Sequence, residues 1–513
     1  MSGEGARRNM SGEMQEGSPS AERRRSGSMR STPLALAVAA VVVAAALLGV
    51  AAMRTSGDDM SSASQEGPSG TAPVSSVARA CPAFGTKDAD SNGLSVGNVT
   101  LKSDASASGG SSKASVVPGE KAVPGLSVDS PGAWASASVD AKASAVALNA
   151  EEGLAPFSTA FAAARPAGRL GGGMAMTQCS EAQSSAWFVG AGSTANHSGT
   201  LVLSNPTEID AVVDVSLYGG HEEIEVVGGS GIVVEPGKSK QLPLDDLGTG
   251  EDELAIEVRA SQGSIAANVL DTTGKLNPYG GSEYLPVAAR PSTQATIAGV
   301  PAGSDERELL VVNPGDRAAN VSVSVVGKDG AFTPSGLESV SVDSGAIKAV
   351  DLPGRLGNAG LSVRLESESP VTGAVRLISD DDVAYAVASE KFQEPVVVPT
   401  GVGDAVDGAD LEVAVSGAAR KGETSVQVRA FAANGSAVGK EATVKVAAGT
   451  TATFDPLEKT GVSSGKTAYV TLRASDGVRG AATYRDSGDL TSVPLADLPA
   501  TVVRPGVSPG GAR

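Results

Sequence analysis

Histidine, cysteine and aromatic side chains are almost missing from this chain of 513 residues, which holds 2 His, 2 Cys and, with 2 Trp, 6 Tyr and 8 Phe, only 3% aromatics. Two histidines leave little for general-base or metal chemistry. No CxxC pair or Cys/His cluster exists to hold zinc or to run a dithiol redox step. The charge balance of 58 Asp+Glu against 40 Lys+Arg, a net −18, excludes the concentrated basic face of a nucleic-acid binder, and stacking rings are scarce. With few large side chains, the cores must rest on Val and Leu. At roughly 100 to 200 residues per domain the length predicts three to four domains.

What the chain does have is one long apolar run. Residues 33–53, PLALAVAAVVVAAALLGVAAM, carry no charge, and as a helix they span about 30 Å, the hydrocarbon thickness. Arg7, Arg8, Arg23, Arg24, Arg25 and Arg30 precede the run, whereas Asp58 and Asp59 follow Arg54. That bias predicts a cytoplasmic tail (1–32), a single transmembrane helix (33–53) in the cytoplasmic membrane, and everything beyond it outside the cell. A signal peptide cleaved near Ala46 or Ala52 is the alternative, although its apolar core is normally only about 7 to 15 residues long. Residues 1–32 hold six Arg and four Glu, so the rest of the chain carries −20 of the net −18. The acidity belongs to the exported part. Cys81 and Cys179 both lie there, which predicts a disulfide, with two buried thiols as the alternative.

Residues 54–78 are rich in Ser, Gly and Pro without apolar periodicity and read as a flexible stalk; residues 501–513 read as a second disordered tail. Between them lies an internal repeat. TLVLSNPTEIDAVVDVSLYGG, beginning at Thr200, and LLVVNPGDRAANVSVSVVGKDG, beginning at Leu309, align through Asn205-Pro206 and Asn313-Pro314, followed by Gly237 and Gly345. A diverged third copy aligns Val470 and Leu472 with Val363 and Leu365. Apolar residues alternate at period two, as in Val213, Val215, Leu217, which predicts half-buried strands. About seven strands in about 100 residues predict immunoglobulin-like β-sandwiches over 187–295, 296–395 and 396–500. The architectural alternative is a β-propeller in which each unit supplies two blades. Residues 79–186 do not align with the repeats and read as an irregular β-rich domain closed by the disulfide, with a helix-like run at 154–165.

Candidate sites are weak. Gly93-Leu94-Ser95-Val96-Gly97 fits GxSxG but lacks the strand-turn-helix setting of a nucleophile elbow, and only His197 and His221 could serve as bases. Asp88-Ala89-Asp90-Ser91-Asn92-Gly93 resembles half of a calcium loop whose twelfth position is Val99 instead of Glu. Asp380-Asp381-Asp382 and Asp404, Asp407 and Asp410 read as solvated loop carboxylates. The stretch from Gly461 to Thr467 falls one residue short of a phosphate-binding loop. Sequons begin at Asn98, Asn196, Asn320 and Asn434. No catalytic, cofactor-binding or metal residue is expected.

Cys81-Pro82, Cys179, Trp187-Phe188-Val189-Gly190 and Leu203-Ser204-Asn205-Pro206 carry a resemblance to an uncharacterised actinobacterial family, a domain of unknown function numbered 5719. The resemblance implies a membrane-anchored or secreted β-rich envelope protein without an assigned activity. The sequence thus predicts a non-catalytic extracytoplasmic scaffold or protein-interaction module, with envelope proteins as partners and no nucleic acid. The alternative is a cell-wall glycan binder resting on Trp134 or Trp187.

Overall fold

The computed structural model describes residues 71–503, apart from 84–91, 103–108, 120, 140–143, 167–171, 249, 275–279, 302–305, 354–355, 357–359, 380–381, 418–421 and 499. The expected cytoplasmic tail, the membrane helix and residues 54–70 of the expected stalk lie outside these residues, and among the described residues no helix is long and apolar enough to cross a membrane. The rest of the stalk and the start of the expected disordered tail are ordered instead: Thr71–Pro73 pairs with Thr501–Val503, and Ser76–Pro82 enters the first sheet, because backbone pairing satisfies these polar segments. Among the described residues strands account for 61% and helical turns for 4%, so this part of the chain is mainly β.

Four modules follow one another along the described chain. Module 2 shows the plan most clearly, with seven principal strands: Ser185–Ala191, His197–Ser204, Ala211–Tyr218, Ser239–Pro243, Leu254–Gln262, Ala266–Thr273 and Ser282–Leu285. The first, fifth and third strands form one sheet, edged by short hairpin strands, and the fourth, second, sixth and seventh form the other. Alternation puts Val213, Val215 and Leu217 into the core between the sheets while Val212, Asp214 and Ser216 are less buried. Each module is therefore a β-sandwich. The first six strands cross from sheet to sheet in turn, however, and the seventh stays beside the sixth, whereas the constant-type immunoglobulin order keeps strands A, B, D and E on one sheet and C, F and G on the other.

Modules 3 and 4 repeat this order, the fifth and sixth strands of module 3 being one 19-residue strand, Leu361–Ser379, shared by both sheets. The repeat landmarks have identical roles. Asn205 and Asn313 are fully buried, and each amide donates to the carbonyl four residues on, Ile209 at 2.7 Å and Arg317 at 2.7 Å, and to a strand carbonyl, Val234 or Val342. Gly237 and Gly345 both sit at φ 65°, a left-handed turn conformation that glycine adopts without the cost of a Cβ.

Residues 79–186 belong to the same plan, against the expectation of an irregular domain. Their strands, Ser76–Pro82, Asn92–Thr100, Ser111–Val117, Trp134–Val139, Ala145–Glu151, Ser158–Arg165 and Ala175–Gln178, pair in the same first-fifth-third and fourth-second-sixth-seventh order. This is module 1. The helix-like run is a 3-10 turn, Glu152–Leu154, followed by the sixth strand. The alanines of that strand suit a helix locally, but here their small side chains are wholly buried between neighbouring sheets, and tertiary packing overrides propensity.

The modules do not form a string. The seventh strands, Ala175–Gln178, Ser282–Leu285, Asp382–Val387 and Asp489–Pro494, contact one another in the cyclic order 1, 2, 3, 4 and back to 1. The outer face of each fourth-second-sixth-seventh sheet also packs on the preceding module: Leu310, Val312, Ile347 and Tyr385 of module 3 join the core of module 2, and Val99, Phe161 and Met176 of module 1 join that of module 4. Two sheet layers per module, those of module 3 sharing one long strand, thus close into a ring with the seventh strands at its axis. The two sheets of each module draw their strands alternately from the sequence, which is a sandwich and not the two successive blades per unit of the propeller alternative. A two-stranded sheet, Thr71–Pro73 with Thr501–Val503, ties the ends of the described chain together.

Candidate functional site

Three places concentrate polar chemistry: the axis, the junction of modules 2 and 3, and the seam where module 4 meets module 1. At the axis the seventh strands are the inner edges of their sheets, so their outward amides lack a strand partner. Two buried carboxylates supply it. Asp382 accepts from the Leu490 amide at 2.7 Å, Met174 at 3.2 Å and its neighbour Val383 at 2.8 Å, linking modules 1, 3 and 4. Glu283 accepts from Met176 at 3.0 Å and Tyr284 at 2.8 Å, linking modules 1 and 2. Burial pushes the Asp382 carboxyl up to about 8 against the pull of those three amides. It drives Glu283 well above the ordinary carboxylate range, the charge of Asp382 adding to the effect. Glycines 173 and 281 make room, since a Cβ at either would strike Asp382.

Where the seventh strands end, the axis opens into a cleft of about 260 Å³ lined by residues 177–181, 286–290, 389–390 and 494–497. Every module contributes to it. Arg79 forms part of its wall; this buried guanidinium donates to the carbonyls of Cys179 and Ser158 and pairs with Glu181 at 3.0 Å.

At the junction of modules 2 and 3, His197 begins a strand and is 5% exposed, not in a polar turn as its sequence context suggests. Its Nε2 lies 2.9 Å from Asp271 Oδ2 and its Nδ1 2.5 Å from the Asp252 carbonyl. Both ring nitrogens face acceptors, so the ring is an imidazolium. Burial pulls its pKa down, but Asp271 and Glu253 outweigh burial and it ends above the ordinary histidine value. From module 3, Tyr385 donates to Asp271 at 2.9 Å, and Arg376 pairs with Glu253 at 2.6 Å and with Glu308. Burial raises Glu253 to about 7 despite Arg376. The His197–Asp271 pair is buried within module 2, and the Tyr385 hydroxyl ties it to module 3.

At the seam, Arg165 donates to Asp489 at 2.7 Å, to Asp486 and, through Nε, to the Ala405 carbonyl at 2.9 Å. Trp134, Tyr469 and Phe431 line up, with centroids 6.1 Å and 5.1 Å apart, and the Tyr469 hydroxyl donates to the Gly132 carbonyl at 2.8 Å. Outside the stack lies a cleft of about 530 Å³.

The residues singled out by sequence fall as follows. Cys81 and Cys179 form the disulfide, joining the first strand of module 1 to the end of its seventh. Ser95 is buried within a strand, so the nucleophile-elbow motif is absent. Asp88, Asp90, Asp380 and Asp381 lie outside the described residues; Asp382, expected in solvent, is buried at the axis, while Asp407 and Asp410 are exposed. The loop from Gly461 to Thr467 follows a five-residue helix and precedes a strand. Asn98 of the first sequon is buried and bonded to Ser112. Trp187 is 4% exposed and stacked on Tyr218, so it presents no platform. Among the described residues no three His, Cys, Asp or Glu side chains gather as a metal site. Sequence reasoning missed Arg165, Asp271, Glu283 and Arg376, because single charges in strands carry no signal of the partner facing them from another module.

A family described as a family of unknown function (DUF5719) matches residues 134–457, from the fourth strand of module 1 into module 4. The chain belongs to this family. Searches of curated proteins and of solved structures find no match.

Proposed function

We propose that the protein is a non-catalytic scaffold of an actinobacterial cell envelope, held in the cytoplasmic membrane by residues 33–53 with the ring outside the cell. The observation that carries this reading is the axial cleft, to which all four modules contribute, on a ring whose buried charged side chains are held by partners within the ring. A reactive site keeps a nucleophile or base available to substrate; here His197, Arg79, Arg376 and Asp271 are each spent on a structural partner. The closed ring favours a platform over a spacer, since its length does not grow with its module count. The chain's acidity, which lies beyond residue 32, keeps such a body soluble and directs it toward protein partners rather than anionic polymers. Photo-crosslinking in living cells tests this: a crosslinker at Arg290 or Glu390, exposed at the axial cleft, should trap a discrete partner protein. The same group at Lys445, exposed in an outer edge strand, should not. Equal yields at the three positions, or none, would contradict the scaffold reading. Fractionation that finds the full-length chain in membranes supports the anchor, whereas a mature start near residue 47 or 53 excludes it.

A further inference from the structure

We infer that the outer half of the seam between modules 4 and 1 is a saccharide-binding cleft that prefers sugars bearing an acidic group. This goes beyond the scaffold reading and stands independently of it. At the seam, as at the junction of modules 2 and 3, apolar side chains of the two modules merge into one core, but the outer half of the seam is lined by a polar face of module 4. Its strands Glu423–Phe431 and Tyr469–Ala474 pair Gln427 with Arg473, Arg429 with Thr471 and Phe431 with Tyr469, so these six side chains share one side of the sheet. Gln427, Arg429 and Arg473 are exposed, and Phe431 is half-buried at the end of the three-ring stack. A chain with 3% aromatics gathers three of them here, beside the buried Phe157.

A half-open aromatic with hydrogen-bonding groups two residues along is what the apolar face and hydroxyl edge of a pyranose need. The cleft of about 530 Å³ lies within the roughly 300 to 1,000 Å³ of small-ligand sites. Lys102, Arg429 and Arg473, against the one carboxylate of Glu394, make its lining basic, a local reversal of sign in a chain of net charge −18. Arg429 pairs with Glu441 and Arg473 with Glu394 at 3.5 Å, but exposed ion pairs are weak, so an acidic sugar can take the place of these carboxylates. An extended peptide is disfavoured, because both lining strands are already paired on each side and offer no free edge.

Fluorescence titration of the full-length protein in detergent tests the assignment. Trp134 reports on the cleft, and Trp187, buried in module 2, supplies a constant background. Tetragalacturonate should give a saturable change, weakened by added salt and at least tenfold weaker in Arg473→Glu, while Arg259→Glu, an exposed change in module 2, binds as wild type. Neutral maltotetraose should bind at least tenfold more weakly than the acidic sugar. No response to tetragalacturonate, equal binding of maltotetraose, equal binding of tetraglutamate, or affinity untouched in a folded Arg473→Glu would each overturn the inference.

Discussion

Single residues in this protein act mainly as ties between modules. His197 is held charged by Asp271, with side-chain exposures of 6% and 0%, so removing one partner strands a buried charge. His197→Ala should lower stability by about 3–5 kcal/mol. The sign of the pH effect follows from the direction of the shift. The folded pKa is above the unfolded value of 6.5, so the His197 contribution is fully present below pH 6.5 and is lost as pH rises through the folded value. Denaturant midpoints measured across pH 5.5 to 9 should decline in the wild type and decline less in His197→Ala; parallel curves would show that the ring is not charged. The carboxyls of Asp382 and Glu253 slope in the same direction, because their folded values of about 8 and about 7 exceed the unfolded ones, so their contributions are lost as pH rises from about 4 through those values. The disulfide acts through the unfolded chain, closing a loop with a sequence separation of 98. Paired Cys81→Ser and Cys179→Ser changes should cost roughly 2–5 kcal/mol, read from urea unfolding with and without reductant.

At the scale of elements, period-two alternation made the strands of modules 2 to 4 legible, and the Asn-Pro turns with their paired glycines fixed where the copies align. Module 1 was not legible as a copy: its sixth strand, Ser158–Arg165, is an alanine run with no alternation, because both its faces are buried and polar residues have no place on either. Strand order was likewise hidden, since alternation gives the buried face of a strand but not the sheet it joins. The disulfide was readable from compartment and count, whereas the axial carboxylates were not, because their partners are backbone amides of other modules. The seam illustrates the same point. Arg165 is the last residue of its strand, yet it holds two aspartates of module 4 that would otherwise repel each other. Arg165→Ala should cost about 1–3 kcal/mol, and hydrogen exchange should quicken in strands Ser158–Arg165 and Asp489–Pro494 before it does in module 2. Uniform exchange across all modules would remove Arg165 from its role as clasp.

For the whole molecule, the consequence of closure is shared stability. A string of sandwiches unfolds module by module, whereas in a ring each module completes the core of its neighbour and no end module exists to fray. Calorimetry should therefore show one dominant transition in place of several resolved ones. The chain's scarcity of aromatics and histidine belongs to this picture: the cores are closed largely by Val, Leu and Ala from adjoining modules, His197 is committed to Asp271, and Trp134, Tyr469 and Phe431 gather at the seam. Small-angle scattering from the fragment Gly70–Arg504, the compact unit of the chain, tests closure most directly. The ring predicts a radius of gyration close to that of a compact body of this length, about 22 Å, with a short, symmetric distance distribution. A clearly larger radius with a long tail in that distribution would mean that the four modules are strung out, and would contradict the ring.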